Sequence, residues 1–182
     1  MDKSFELWEK TYLQPILPLL KKGKTVVILR GISGSGKTTL YNSLSKLVGG
    51  ACLHCSADSY FTADDGTYKF DFRYAQTAHR SCLDQYAAGL KDKTVGLIFV
   101  DNTNTRLWHF DTIIKMAKDA EAQTVVIEIL VQDEFQVGIC LARQKHNVRP
   151  DILLGQWTKW EQYQPAHSIP MFISDKEKNT LQ

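Results

Sequence analysis

Few cysteines, little net charge and no long apolar run set the first limits on this chain of 182 residues. The four cysteines, Cys52, Cys55, Cys82 and Cys140, supply no second close pair of the kind a zinc site needs. Cys52 and Cys55 lie in "ACLHCS", a stretch that reads as a strand, where residues three apart point to opposite faces. They therefore read as separate structural thiols and not as a redox pair. With 22 lysines and arginines against 20 acids, the net charge of +2 excludes a protein that coats nucleic acid non-specifically. Any nucleic-acid contact has to be local. No apolar run approaches the ~20 residues that span a bilayer, and the chain opens without a basic-then-apolar leader. The expectation is a soluble protein of a reduced compartment, the cytoplasm first, with the nucleus open as well.

What is present is enough apolar material, 43% of the residues, for one domain with a real core. Helical spacing in "SFELWEKTYLQPILPLL" predicts a helix near 3–13 and then a turn through Pro15 and Pro18. "TVVILRG" is a short continuous apolar run, typical of a strand buried on both faces. A helix from Thr38 to Leu47, a strand in "GACLHCS" and a long helix in "FRYAQTAHRSCLDQYAAGL" follow. "TVGLIFVDNTN" and "TVVIEILV" repeat the strand pattern with the helical "HFDTIIKMAKDAEA" between them. "DEFQVGICLARQKH" and "RPDILLGQWTKWEQY" read as two helices broken at Asn147 to Pro150, before a closing strand in "SIPMFI". Such alternation predicts an α/β domain, a mainly parallel sheet flanked by helices. "SDKEKNTLQ" reads as a frayed tail, and "KKGK" at 21–24 as an exposed turn. In open sheets of this kind ligands sit beyond the carboxyl ends of the strands, so the polar residues there carry the argument.

The first of these ends is "RGISGSGKTT". Gly31-x-x-x-x-Gly36-Lys37-Thr38, entered by a strand and left by a helix, is the P-loop pattern. Its glycines let successive N–H groups and a helix N-terminus face a phosphate chain. Gly31, Ser33, Gly34, Ser35, Gly36, Lys37, Thr38 and Thr39 are the expected nucleotide contacts. Lys37 would reach the terminal phosphates and the Thr38 hydroxyl would ligate Mg²⁺, so ATP and magnesium are the expected cofactors. The loop alone does not choose a reaction. A length without room for a motor's second domain, and the lack of an "NKxD"-like guanine reader, leave a small phosphotransferase as the leading class.

A phosphotransferase needs a group that takes the proton of the acceptor hydroxyl. Asp58, in "HCSADSYF" just past the second strand, stands where such a base belongs, though a helix cap or turn residue would stand there equally well. The P-loop, then "SADSYF", then "VDNTN", in that order over residues 25–161, resembles the P-loop polynucleotide kinases that phosphorylate 5′-hydroxyl ends. It is similar also to the small P-loop domain of the myelin cyclic-nucleotide phosphodiesterase. The resemblance implies a P-loop kinase fold with a helical lid; the pattern of elements places that domain at residues 23–173, after a helix and turn (1–22) and before the tail (174–182). It implies Asp58 as general base and Asp101, the acid of the "DxTN" element, as a residue that orders magnesium or the adjoining loop. A loop fixed by its own Asn, Asp and Thr hydrogen bonds is the other reading of Asp101–Asn104. The family's arginine three residues after the base is here Phe61, so the expected substrate-phosphate contact is missing; Phe61 and Tyr60 read either as base-stacking rings or as core. The segment "FTADDGTYKFD" reads as a mobile substrate-side loop.

Lid chemistry in this class needs an arginine brought over the transferring phosphate. "CLARQKHNVRPDIL" offers Arg143 first, then Arg149, with Lys145 between them, and Arg106 is a weaker candidate for phosphate or adenine. A solvated helix face is the other reading of those charges. His79, Arg73 and Arg80 read as surface residues before site residues, and Trp157 and Trp160 as helix packing. The expected function is ATP- and Mg²⁺-dependent phosphorylation of the 5′-hydroxyl end of RNA or DNA, with a ligase or phosphatase as a conceivable partner. A small-molecule or nucleoside kinase, and a P-loop module that binds nucleotide or RNA without catalysis, are the alternatives.

Overall fold

The computed structural model describes residues 3–144 and 148–180. Five strands, β1 (Thr25–Arg30), β2 (Cys52–Cys55), β3 (Leu97–Asp101), β4 (Gln123–Leu130) and β5 (His167–Pro170), form one sheet in the order β2-β3-β1-β4-β5. Every neighbouring pair is parallel. The helices are α1 (Lys3–Tyr12), α2 (Leu17–Leu20), α3 (Lys37–Val48), α4 (Ala75–Lys91), α5 (Asp111–Asp119), α6 (Glu134–Arg143), α7 (Pro150–Thr158) and α8 (Asp175–Thr180).

The central strands are continuous apolar runs because helices cover both of their faces. Val27 and Leu29 of β1 join Leu40 and Leu44 of α3, Val137 of α6 and Leu153 of α7 in one core. Val26 and Ile28 turn the other way, toward Ala78 and Tyr86 of α4 and Ile113 and Ala117 of α5. Cys52 packs against the first core and Cys55 lies in the second, so the close cysteine pair is split by the sheet. Burial, with the neighbouring Cys82, pushes the Cys55 thiol up to about 12.

Three local expectations change. Pro18 lies inside α2, near its start, where a missing N–H removes no helical bond. Lys24 is not merely an exposed turn residue: its ammonium donates to the carbonyls of Gly89, Leu90 and Asp92 at 2.6–2.9 Å, which closes the carbonyl end of α4. Residues Asp175–Thr180 of the expected tail are helical, because Ser174 and Glu177 cap one another. The N-terminal helix lies along the β5 edge, with Trp8 Nε1 donating to the Pro170 carbonyl at 3.0 Å. Lys145 and Asn147 lie outside the described residues. No helix among the described residues is long and apolar enough to cross a membrane.

Candidate active site

β1 delivers the chain from the centre of the sheet into the glycine-rich loop, and α3 leads it away. Gly34 and Gly36 take φ of 78° and 103°, a left-handed region that L side chains resist. Gly34 has a second reason to lack a side chain: a Cβ there would overlap the Cys140 carbonyl of α6. Lys37 Nζ reaches back to the Ile32 carbonyl at 3.0 Å. The Ser33 N–H donates to Oε1 of Gln156, on α7, at 2.8 Å. α6 and α7 therefore both bear directly on the loop. The Ser35 hydroxyl is buried, and among the described residues it has no hydrogen-bond partner. An orphaned hydroxyl inside a curl of N–H groups at a helix N-terminus fits a phosphate.

Asp101, at the carboxyl end of β3, is the hub of the second layer. Its Oδ2 accepts from the Thr38 hydroxyl at 3.0 Å and meets His54 Nε2, at the end of β2, at 3.1 Å. Burial works against the charge of Asp101. The His54 hydrogen bond, the Lys37 ammonium and the Thr38 hydroxyl outweigh it and hold the carboxyl below its ordinary value. Tyr41 stacks on His54 with ring centroids 4.1 Å apart and so fixes the imidazole. Lys37 is pulled below its ordinary value by burial, against the opposing charges of Asp101 and Asp58. A hydroxyl and a carboxylate side by side next to the phosphate curl are the donor set a hydrated Mg²⁺ takes.

The loop after β3 divides between site and scaffold. Asn102 accepts from the Ala57 N–H at 3.0 Å, which ties it to the turn carrying Asp58. Asn104 sits at φ 47° with its amide on the Leu29 carbonyl at 2.8 Å, and the Thr103 carbonyl accepts from the Gly31 N–H at 3.0 Å. Asp101 faces the P-loop threonine while its neighbours in the motif hold the backbone.

Asp58 lies in a 3₁₀ turn, Ala57–Phe61, whose start is capped by Ser56. Its carboxylate accepts from the Tyr68 phenol at 3.1 Å and adds to the field at Lys37, so the candidate base and the P-loop lysine share one end of the sheet. Phe61 is buried in the second core, whereas Tyr60 is exposed. The segment that follows is a small hairpin: Thr62 bridges Tyr68, and the Ala63 N–H donates to the Thr67 carbonyl at 2.9 Å.

The candidate arginines are all engaged. Arg143 forks onto Glu177 at 2.6 and 2.7 Å and also donates to the Phe172 carbonyl. That pairing fastens α6 to α8 and depresses the Glu177 carboxyl to about 2, chiefly through the Arg143 hydrogen bond. Arg149 pairs with Asp151 at 2.9 Å on the surface, and Arg106 with Glu161. Arg73 and Arg80 pair with Asp71 and Asp84, and His79 is exposed on α4. Trp157 packs against the first core and donates to the Val131 carbonyl at 2.8 Å.

No motif in the sequence marks Arg30, the last residue of β1. It is fully buried, donates to Glu128 at 2.7 Å and to the carbonyls of Asn104, Thr105 and Glu161, and lies over the Trp160 ring at 4.3 Å. It thus joins the strand entering the P-loop to the "DNTN" loop and to the segment after α7. The readable signal is a pair of opposite charges in apolar strands, "TVVILR" and "TVVIEILV", that the parallel register sets side by side. Gln156, Tyr68 and His54 carry no comparable signal, because each meets its partner only through the fold.

Comparison with known proteins agrees with this geometry. Residues 26–164 match the AAA_33 family, described as an AAA domain. Human NEDD4-binding protein 2 is 28% identical over 153 residues, 84% of this chain and 8% of that protein. The rat 2′,3′-cyclic-nucleotide 3′-phosphodiesterase is 29% identical over 109 residues, 60% of this chain and 24% of that protein. The chain thus spans under a quarter of the length of these relatives. Kti12 of Chaetomium thermophilum, solved with ADP-AlF3, superposes with a TM-score of 0.55 at 14% identity over 86% of this chain and 94% of that one. The chain belongs to the AAA_33 family and has its P-loop, kinase-like fold.

Proposed function

We propose that the protein is a phosphotransferase that moves the γ-phosphate of ATP to the 5′-hydroxyl end of RNA or DNA. The observation that carries this reading is the meeting of a phosphate curl and a candidate base at one end of the sheet, with Lys37 in the field of both Asp101 and Asp58. Gly31, Ser33, Gly34, Ser35, Gly36, Thr38 and Thr39 cradle the triphosphate, and Lys37 exchanges the Ile32 carbonyl for phosphate oxygens. Thr38 and Asp101 would hold magnesium, which when bound neutralises charge on the transferring phosphate. Asp58 orients the acceptor hydroxyl and takes its proton, a role typically worth ~10²–10⁴-fold. Tyr68 holds that carboxylate in place. Arg143 is the proposed lid arginine, since α6 already touches the P-loop through Cys140; it must leave Glu177 to reach a phosphate. Arg149 stands second.

The test is transfer of label from ATP with magnesium to 5′-hydroxyl RNA, 5′-hydroxyl DNA and a panel of nucleosides and sugars, beside Asp58→Ala and Lys37→Ala. Label on a polynucleotide end that disappears in both variants supports the reading. Label confined to a small molecule replaces it with a metabolite kinase, and tight ATP binding without transfer to any acceptor replaces it with a binding module. A ligase or phosphatase partner would follow from end healing and is part of the same proposal.

A further inference from the structure

Beside Thr38 and Asp101 stand two residues of no motif, His54 and Tyr41. β2 pairs with β3 in parallel register, and His54 lies opposite Phe99. Alternation along a strand puts Phe99 and Asp101 on one face of the sheet, and the register puts His54 on it as well. α3 covers that face, since Phe99 joins Leu40 and Leu44 in the first core. Thr38 and Tyr41, three residues apart on α3, are neighbours on one side of the helix. Four side chains from three elements therefore meet, Thr38 and His54 on the Asp101 carboxylate and Tyr41 on the imidazole.

The direction of each hydrogen bond follows from charge. Asp101 is held ionised, and an ionised carboxylate only accepts. So the Thr38 hydroxyl donates its proton to Oδ2 at 3.0 Å, and Nε2 of His54 donates another at 3.1 Å. With its proton committed, the Thr38 oxygen keeps both lone pairs for a ligand. Oδ1 of Asp101 accepts no hydrogen bond among the described residues, which leaves it for a cation or for the water a cation carries. A carboxylate that turned about its last bond would exchange these two oxygens. The imidazole, bound to the same oxygen as Thr38, resists that turn. It is itself fixed: Tyr41 lies nearly parallel to it, 19° between the planes, and Phe99 meets Tyr41 edge-on at 5.1 Å.

We infer that His54, braced by Tyr41, is a positioning residue for magnesium: its Nε2–H locks the Asp101 carboxylate in the orientation that leaves the Thr38 oxygen and Asp101 Oδ1 as the donors. The inference rests on the reading of Thr38 and Asp101 as magnesium donors and adds the residues that order them. His54 acts through Asp101 and not on the nucleotide, so its removal weakens binding only where the metal takes part.

The experiment titrates ADP into the protein by calorimetry, in excess magnesium and again in EDTA, with urea midpoints to confirm folding. His54→Phe keeps a ring against Tyr41 and removes the donor, whereas His54→Gln keeps a donor and removes the ring. In His54→Phe, ADP affinity in magnesium should fall about tenfold, within the ~10–100-fold loss on removing the partner of a metal ligand, and affinity in EDTA should stay within about twofold of wild type. His54→Gln should lie within about threefold of wild type in both conditions, and Tyr41→Leu should lose about threefold in magnesium alone. A His54→Phe variant that magnesium tightens as much as wild type overturns the proposal, as does one that loses affinity equally in EDTA. Should His54→Phe not fold, a Tyr41→Leu variant with the magnesium effect of wild type overturns it. Asp101→Asn separates the inference from the reading beneath it, and it should lose at least as much of the magnesium effect as His54→Phe. If it loses none, Asp101 is no metal donor and the proposal falls with that reading; if it alone loses the effect, the donors stand and the role of His54 is refuted.

Discussion

The Tyr68 phenol donates to Oδ1 of Asp58 at 3.1 Å, a bond between a hairpin residue and the turn at the end of β2. Burial, together with the Asp58 charge, raises the phenol well above its ordinary value, so it remains a donor at any working pH. Asp58→Asn should lower kcat for phosphoryl transfer by ~10²–10⁴-fold with little change in ATP affinity. Tyr68→Phe should lower kcat about tenfold, the size of one hydrogen bond to a charged group. Equal rates for Tyr68→Phe and wild type in single-turnover transfer would show that the bond is incidental.

Arg30 and Glu128 make a different kind of prediction, about folding. Their 2.7 Å bond is buried, and Ser168 adds a second donor to Glu128 at 2.6 Å. Arg30→Met leaves a buried carboxylate without its partner and should cost ~3–5 kcal/mol in urea unfolding. Changing Glu128→Leu as well should recover part of that loss, because the uncompensated charge leaves with it. A double variant whose loss equals the sum of the two single losses would show that the residues do not act as a pair.

How much of this could be read from the chain follows from where each partner lies. The strands were legible because a strand buried on both faces has to be apolar throughout, and the P-loop because its glycines occur at fixed spacing where φ turns positive. The order of Asp58 and Asp101 after successive strands placed both at one sheet end. Long-range partners were hidden: Gln156 lies 123 residues from Ser33, and Tyr68 looks like any loop tyrosine until the hairpin closes. The terminal helix is legible in its cap. Ser174 and Glu177 are a Ser-x-x-Glu capping signature in a segment whose polar composition suggested fraying.

Gly34 is held by two separate constraints, its φ of 78° and the carbonyl of Cys140 facing it. Gly34→Ala should therefore displace either the loop or α6, since the obstacle is backbone and cannot swing aside. ATP affinity should fall at least tenfold, with a smaller loss of stability than for Arg30→Met. Gly36→Ala meets no neighbouring atom and bears only the left-handed strain, ~1 kcal/mol. Nucleotide titration of the two variants would rank them, and equal affinities would exclude contact with α6 as a cause.

The fork between Arg143 and Glu177 gives a prediction in pH. The folded carboxyl is held at about 2, chiefly by the Arg143 hydrogen bond, while an unfolded glutamate titrates near ~4.3. A carboxyl depressed by folding contributes stability that is complete above the unfolded value and is lost as pH falls through the folded one. The pair is partly solvent-exposed, so its contribution near neutrality is ~1 kcal/mol. Wild type should exceed Glu177→Gln by about that amount at pH 6. The gap should narrow as pH drops from 5 toward 3, where the unfolded chain takes up the proton and the folded one resists it. Urea midpoints of the two proteins across that range would measure the gap, and a constant difference would mean that α8 is held by packing and not by the charge of Glu177.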